Sequence, residues 1–171
     1  MGAEARPDAA GRAPLPRGAR LAIDVGTARV GLAASDPDGL VATPVETVPR
    51  KPEQAALRRI AQEAAERFAA VVYVGLPKHL SGAEGASSAD ARAFAGGLVR
   101  ALADAGQAAT ELRFVDERMT TVTATQALHA AGRTTRKHRS VIDQAAAVII
   151  LQSALDAERA TGARAGIGAE V

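Results

Sequence analysis

The chain has 171 residues, no cysteine and a formal net charge of +2. That length suits one domain with a core of its own. The lack of thiols removes disulfide frameworks, cysteine-based zinc sites and thiol nucleophiles together and fits a reducing, cytoplasmic setting. No apolar run approaches the roughly 18–20 residues that span a bilayer, and residues 1–18 lack the apolar stretch of a secretory signal.

Alanine supplies 42 residues, while aromatics make up 2% of the chain. The core must therefore be built from Val, Ile, Leu and closely packed Ala. A platform of stacked aromatics for gripping single strands is hardly available. Arg6, Arg12, Arg17 and Arg20 against Glu4 and Asp8 give the first 20 residues a charge of +2, which leaves 17 bases and 17 acids in the rest. Any contact with nucleic acid must then come from a local patch.

Residues 1–18, rich in Ala, Gly, Pro and Arg without periodicity, read as a disordered arm. Residues 161–171 read as a flexible tail, and residues 19–160 as a single domain. Arg20–Val25 is a β-rich run ending at Gly26, and Val30–Ser35 follows after a tight connection, as in a hairpin. Gly39–Val48 makes a third strand, with Pro44 marking an edge or a bulge. Glu53–Ala70 is helical, with Ala56, Leu57, Ile60, Ala64 and Phe68 on one face. Val71–Leu76 is apolar throughout, as in a strand buried on both faces. Ser87–Ala105 is a second helix, with Ala91, Phe94, Leu98 and Leu102 on its apolar face. Glu111–Val115 is a fifth strand, Thr121–Ala130 a third helix and Ser140–Ala160 a long last helix. The order predicts an α/β fold: a mixed five-stranded sheet of three antiparallel strands, then parallel strands joined by helical crossovers, flanked by helices. The ribonuclease-H-like architecture has this order, and actin-like domains share part of it.

Three acids stand in awkward places. Asp24 interrupts an apolar strand, where a carboxylate is costly unless paired or bound to metal; a turn-forming Asp is an equal explanation on its own. Glu117 lies just past the fifth strand, where parallel sheets bind ligands, although an acid near a helix start is also common. Asp143 follows Ser140 by three residues, which resembles a helix-capping pattern. Together the three can meet at one end of such a sheet. Converging carboxylates with only oxygen donors suit magnesium or manganese, and a pair of ions about 3.5–4 Å apart can drive phosphodiester hydrolysis. His79, His129 and His138 are scattered and form no competing cluster.

Four stretches in order, IDVGTARVGLAASD, VVYVGLPKHLSGAEG, VDERMTT and VIDQAAAVIILQSALD, resemble the YqgF-type family within the ribonuclease-H-like superfamily. That family is described as Holliday junction resolvases and as pre-16S ribosomal RNA nucleases. The resemblance covers roughly Arg20 to Ala160. It implies that Asp24, Glu117 and Asp143 are the acidic catalytic set, holding two magnesium or manganese ions. Lys78-His79 and Thr123 depart from the usual pattern without touching those acids. The basic stretch Gly132–Arg139, with Arg133, Arg136, Lys137 and Arg139, is expected to be a loop that holds a phosphodiester backbone, a solvated connector being the alternative; Arg118 is expected either to hold a phosphate or to pair with Asp116, and Lys78 is a similar candidate.

The function expected is metal-dependent hydrolysis of structured nucleic acid, with processing of the 5′ end of pre-16S ribosomal RNA foremost and junction resolution in DNA as the alternative. An actin-like phosphotransferase and a non-catalytic adaptor are weaker readings. Expected partners are structured RNA or branched DNA and pre-ribosomal particles, with no membrane, for a monomer or homodimer.

Overall fold

A computed structural model describes residues 11, 13–77, 83–117 and 136–169, of which 136–140 as backbone alone. The element order is β1 (Arg20–Val25), β2 (Arg29–Ser35), β3 (Ala42–Pro49), α1 (Glu53–Glu66), β4 (Val71–Leu76), α2 (Ala86–Asp104), β5 (Glu111–Asp116), α3 (Arg136–Thr161) and β6 (Ile167–Gly168). The expected helix over 121–130 lies outside the described residues.

One mixed sheet runs β3-β2-β1-β4-β5-β6. β1 and β2 form the expected antiparallel hairpin, and β2 pairs antiparallel with β3. β1, β4 and β5 are parallel, as helical crossovers demand. Opposite Leu32 and Ala33 the register shifts from Glu46 to Pro44. Val45 is thus the extra residue of a bulge on an edge strand, where proline is tolerated.

The alternation of strand side chains sorts the core into two unlike layers. One face carries Leu21, Ile23, Val30, Leu32, Val72 and Val74 against Leu57, Ile60, Phe94 and Leu98 of α1 and α2. The other carries Ala22, Ala33, Val71, Tyr73 and Val115 against Ala146, Ala147, Ile150, Leu151, Ala154 and Leu155 of α3. Large aliphatics fill the first layer, where each buried Leu or Ile contributes roughly 1.5–3 kcal/mol. Alanines on both partners draw α3 close to the sheet on the second.

Four expectations are corrected. The sheet has six strands, because part of the segment expected to be a frayed tail returns along β5: Phe114 pairs with Ile167 and Arg113 with Gly168. Gly166, at φ 66°, provides the turn, and Arg113 Nε donates to the Ala165 carbonyl at 2.7 Å. α1 stops at Glu66, and Phe68 leaves the apolar face: it sits at φ 52° and is 81% exposed. The chain must reverse there to enter β4, and Ala69 N–H closes the helix end on the Ala64 carbonyl. α3 begins at Arg136, not Ser140, so Asp143 lies well inside the helix and the capping pattern does not apply. For the same reason residues 136–139 belong to a helix and not to a loop.

Candidate active site

Strand parity and helix periodicity aim the three acids at one place. Asp24 follows Ala22 by two residues on β1, and Glu117 follows Val115 by two at the end of β5; both predecessors face α3. Asp143 precedes Ala147 by one helical turn, and Ala147 faces the sheet. The carboxyl ends of β1 and β5 and the early part of α3 therefore share one corner.

Two glycines make the corner possible. Gly31 lies directly across from Asp24 in the hairpin. A side-chain carbon there would come within 2.0 Å of the Asp143 carbonyl oxygen, so only glycine lets the α3 backbone lie on β2. Gly75 on β4 does the same for Glu117. A Cβ there would stand 2.8 Å from Glu117 Oε1 and 2.6 Å from Ile150 Cδ1. Glycine inside a strand marks close approach of another group, and this is the signal that the sequence offered for both positions.

The electrostatics show how tight the corner is. Burial first, then repulsion from Asp24, pushes the Glu117 carboxyl up to about 8. Burial first, then repulsion from Asp143, raises Asp24 too, and a hydrogen bond with Glu117 offsets part of that rise. Glu117 is thus the proton holder of the pair and Asp24 the acceptor. Only 8% of Glu117 is exposed, which explains why its charge is so costly there.

Asp143 has a different partner. Arg29, at the start of β2, donates from Nε to Asp143 Oδ2 at 2.8 Å. The sequence reading missed Arg29, because it lies at the start of β2, far along the chain from Asp143. Arg50 supports the same turn from behind. It donates to the Gly26 carbonyl at 2.9 Å, grips Asp90 of α2 with both terminal nitrogens and stacks 4.8 Å from the Phe94 ring centre.

The donor set is all oxygen, which fits a hard divalent cation. Burial and mutual repulsion raise the Asp24 and Glu117 carboxyls, and a bound cation would offset the charge that is costly there. Among the described residues, no three acidic or histidine side chains are gathered tightly enough to hold an ion as they stand, and Asp143 is the acid engaged elsewhere. Of the basic residues expected to hold phosphate, Lys78, Arg118 and Arg133 lie outside the described residues. Arg136, Lys137 and Arg139 lie on the first turns of α3, one to two turns before Asp143. A groove of about 600 Å³ lies between α1 and α2 beside Arg58 and Arg100, and none of these acids lines it.

The fold is ribonuclease-H-like. It superposes on Thermus thermophilus RuvC in complex with a Holliday junction substrate with a TM-score of 0.56, covering 86% of this chain and 98% of that one at 15% identity. At that identity the likeness concerns the fold alone. The chain belongs to the RuvX family, described as Holliday junction resolvase, which matches residues 18–157. A relative from Streptomyces coelicolor is 55% identical over 155 residues, 91% of this chain and 90% of its own length. One from Clavibacter michiganensis is 57% identical over 150 residues, 87% and 89% of the two chains. Both are named as candidate pre-16S rRNA nucleases.

Proposed function

We propose that this chain is a metal-dependent nuclease that cleaves phosphodiester bonds in precursor 16S ribosomal RNA, at its 5′ end, in the cytoplasm. Membership of the RuvX family supports nuclease chemistry, and the names of the Streptomyces and Clavibacter relatives support the RNA substrate. The observation that carries the reading is the shared corner of Asp24, Glu117 and Asp143, brought together by Gly31 and Gly75. Among the described residues, no helix is long and apolar enough to cross a membrane.

Asp24, Glu117 and Asp143 are the residues that would hold magnesium or manganese. A pair of such ions supplies activation of a water and stabilisation of the leaving oxygen. The protein's own part is positional. β1 fixes Asp24, Gly75 clears the space into which Glu117 folds back, and Arg50 locks the turn after Asp24. Burial beside Asp24 favours a proton on Glu117, which a bound cation would displace. Arg136, Lys137 and Arg139 would hold the phosphate backbone at the start of α3, with Lys78, Arg118 and Arg133 as further contacts. Pre-ribosomal particles are the setting this substrate implies.

Junction resolution is the second reading. It rests on the family's description and on the RuvC likeness of the fold, and it requires a dimer, since two strands must be cut. Cleavage of labelled precursor ribosomal RNA and of four-way junction DNA, side by side with magnesium or manganese, separates the two. The expected result is cleavage of the RNA, absent in Asp24→Asn. Cleavage of the junction alone would reverse the order of the readings, and cleavage of both by Asp24→Asn at the wild-type rate would remove the metal site from either.

A further inference from the structure

We propose that Arg29 is a displaceable counter-cation for Asp143, which competes with the divalent ion for that carboxylate and so sets the metal affinity of the site. The inference rests on the metal-nuclease reading above and concerns one residue that this reading leaves without a role.

The geometry places Arg29 where it must compete. Arg29 precedes Gly31 by two residues on β2, so both lie on the face that α3 covers, and Gly31 stands across from Asp24. From there the Arg29 Nε reaches the Asp143 Oδ2 at 2.8 Å. An oxygen donating its lone pairs to a metal ion cannot keep a guanidinium in the same direction. The two cations would also repel each other across one carboxylate. A guanidinium does not lose its proton in a protein, so Arg29 can yield only by moving.

It is built to move as a side chain alone. The Arg29 backbone is held by the hairpin: its carbonyl accepts from Gly26 N–H at 2.8 Å, and it pairs with Pro49. The side chains of Arg29 and Asp143 are 29% and 24% exposed, so water and dissolved ions reach the pair. The buried carboxylate of Glu158, at the other end of α3, offers the contrast. Its partners Arg20 and Arg164 have side chains only 6% exposed and are enclosed by the fold. Solvent access makes one pair exchangeable and leaves the other permanent. Asp143 would then become available to an ion only as Arg29 leaves it.

The test is manganese binding by the full chain, read from the free-ion signal in electron paramagnetic resonance, without substrate. Wild type, Arg29→Gln, Asp143→Asn and the double variant are compared. Arg29→Gln is expected to bind manganese about fivefold more tightly than wild type, the size of a partly exposed ion pair of about 1 kcal/mol. In the Asp143→Asn background the same change should alter affinity less than twofold, because there is no carboxylate left to contest. Equal or weaker binding by Arg29→Gln overturns the proposal and leaves the metal site standing. No binding by any folded variant overturns both. If Arg29→Gln fails to fold, the Nε–H resonance of Arg29 in wild type decides: it should shift on titration with magnesium, and a fixed resonance under saturating metal overturns the proposal.

Discussion

α3 crosses the sheet with a carboxylate cluster at each end, and the two clusters are balanced in opposite ways. At its C-terminal end one acid has several partners. Glu158, 5% exposed, accepts from Arg20 at 3.1 Å, from Arg164 at 2.9 Å and from the Tyr73 hydroxyl. Burial and the Glu158 charge together drive the Tyr73 hydroxyl well above its ordinary value, so it stays a donor. At the other end, among the described residues, Arg29 pairs with Asp143 while Asp24 and Glu117 face each other. Among the described residues, the same helix and sheet thus hold one acid ringed by cations and a second group in which acids adjoin acids. A cluster that has its counter-charges stabilises the fold, whereas one that lacks them is a place for a ligand to supply charge.

The comparison can be broken hardest at the Glu158 end. Glu158→Ala takes its buried counter-charge from Arg20 and leaves Arg164 only Glu111 at 3.8 Å, and should cost about 3–5 kcal/mol. For a chain of this length that lowers Tm by roughly 10 °C, measurable by differential scanning calorimetry. Cleavage per folded molecule at low temperature should be unchanged.

The acidic end should respond to pH instead. A carboxyl whose value rises on folding favours the fold while protonated. Glu117's contribution is therefore complete below its ordinary value of 4.5 and lost as pH rises through about 8. With chelator present, stability should fall across that window, with a slope of at most about 1.4 kcal/mol per pH unit. Glu117→Gln should flatten the slope. A wild-type profile that rises from pH 5 to pH 8 would contradict the raised Glu117 carboxyl.

Gly31→Ala sharpens the role of close approach. The added carbon meets backbone, not a flexible side-chain tip, so overpacking should cost about 1–3 kcal/mol. It should also displace Asp143. Activity should fall by more than stability accounts for, when urea midpoints and single-turnover rates are compared.

Asp24→Asn is expected to move stability least. Relief of repulsion should leave the metal-free protein as stable or slightly more so while cleavage disappears. An Asp24 held structurally by backbone donors would instead cost about 1.5–3 kcal/mol on removal. Magnesium should raise the Tm of wild type and not of this variant, because an ion that binds only the folded state stabilises it.

Much of this was legible from residues alone. The hairpin, the parallel crossovers and the bulge at Pro44 follow from local pattern. Asp24 and Glu117 stand near strand ends as expected, whereas Asp143 lies inside α3 and not at a helix start. Ser140-x-x-Asp143 imitates a cap, and the basic residues that in fact open α3 run against the helix dipole, which disguises a helix start. Phe68 fitted the α1 period, but the period carries no signal for where a helix must stop to reach the next strand. β6 has two residues beside glycines and leaves no pattern to read. Arg29 could be found only in three dimensions, because its partner lies on the last helix and nothing near Arg29 in the chain asks for a carboxylate.

The bulge in β3 bears on how copies of this chain can associate. Sheets often enlarge by edge-to-edge addition of a strand from a neighbour, which needs a straight, unbroken row of donors and acceptors. Here Pro44 has no N–H to offer and Val45 is out of register with β2. The opposite border is only the two residues of β6. Among the described residues, neither border is a template for a continuous intermolecular sheet, so any association of copies is expected to run through helices or loops.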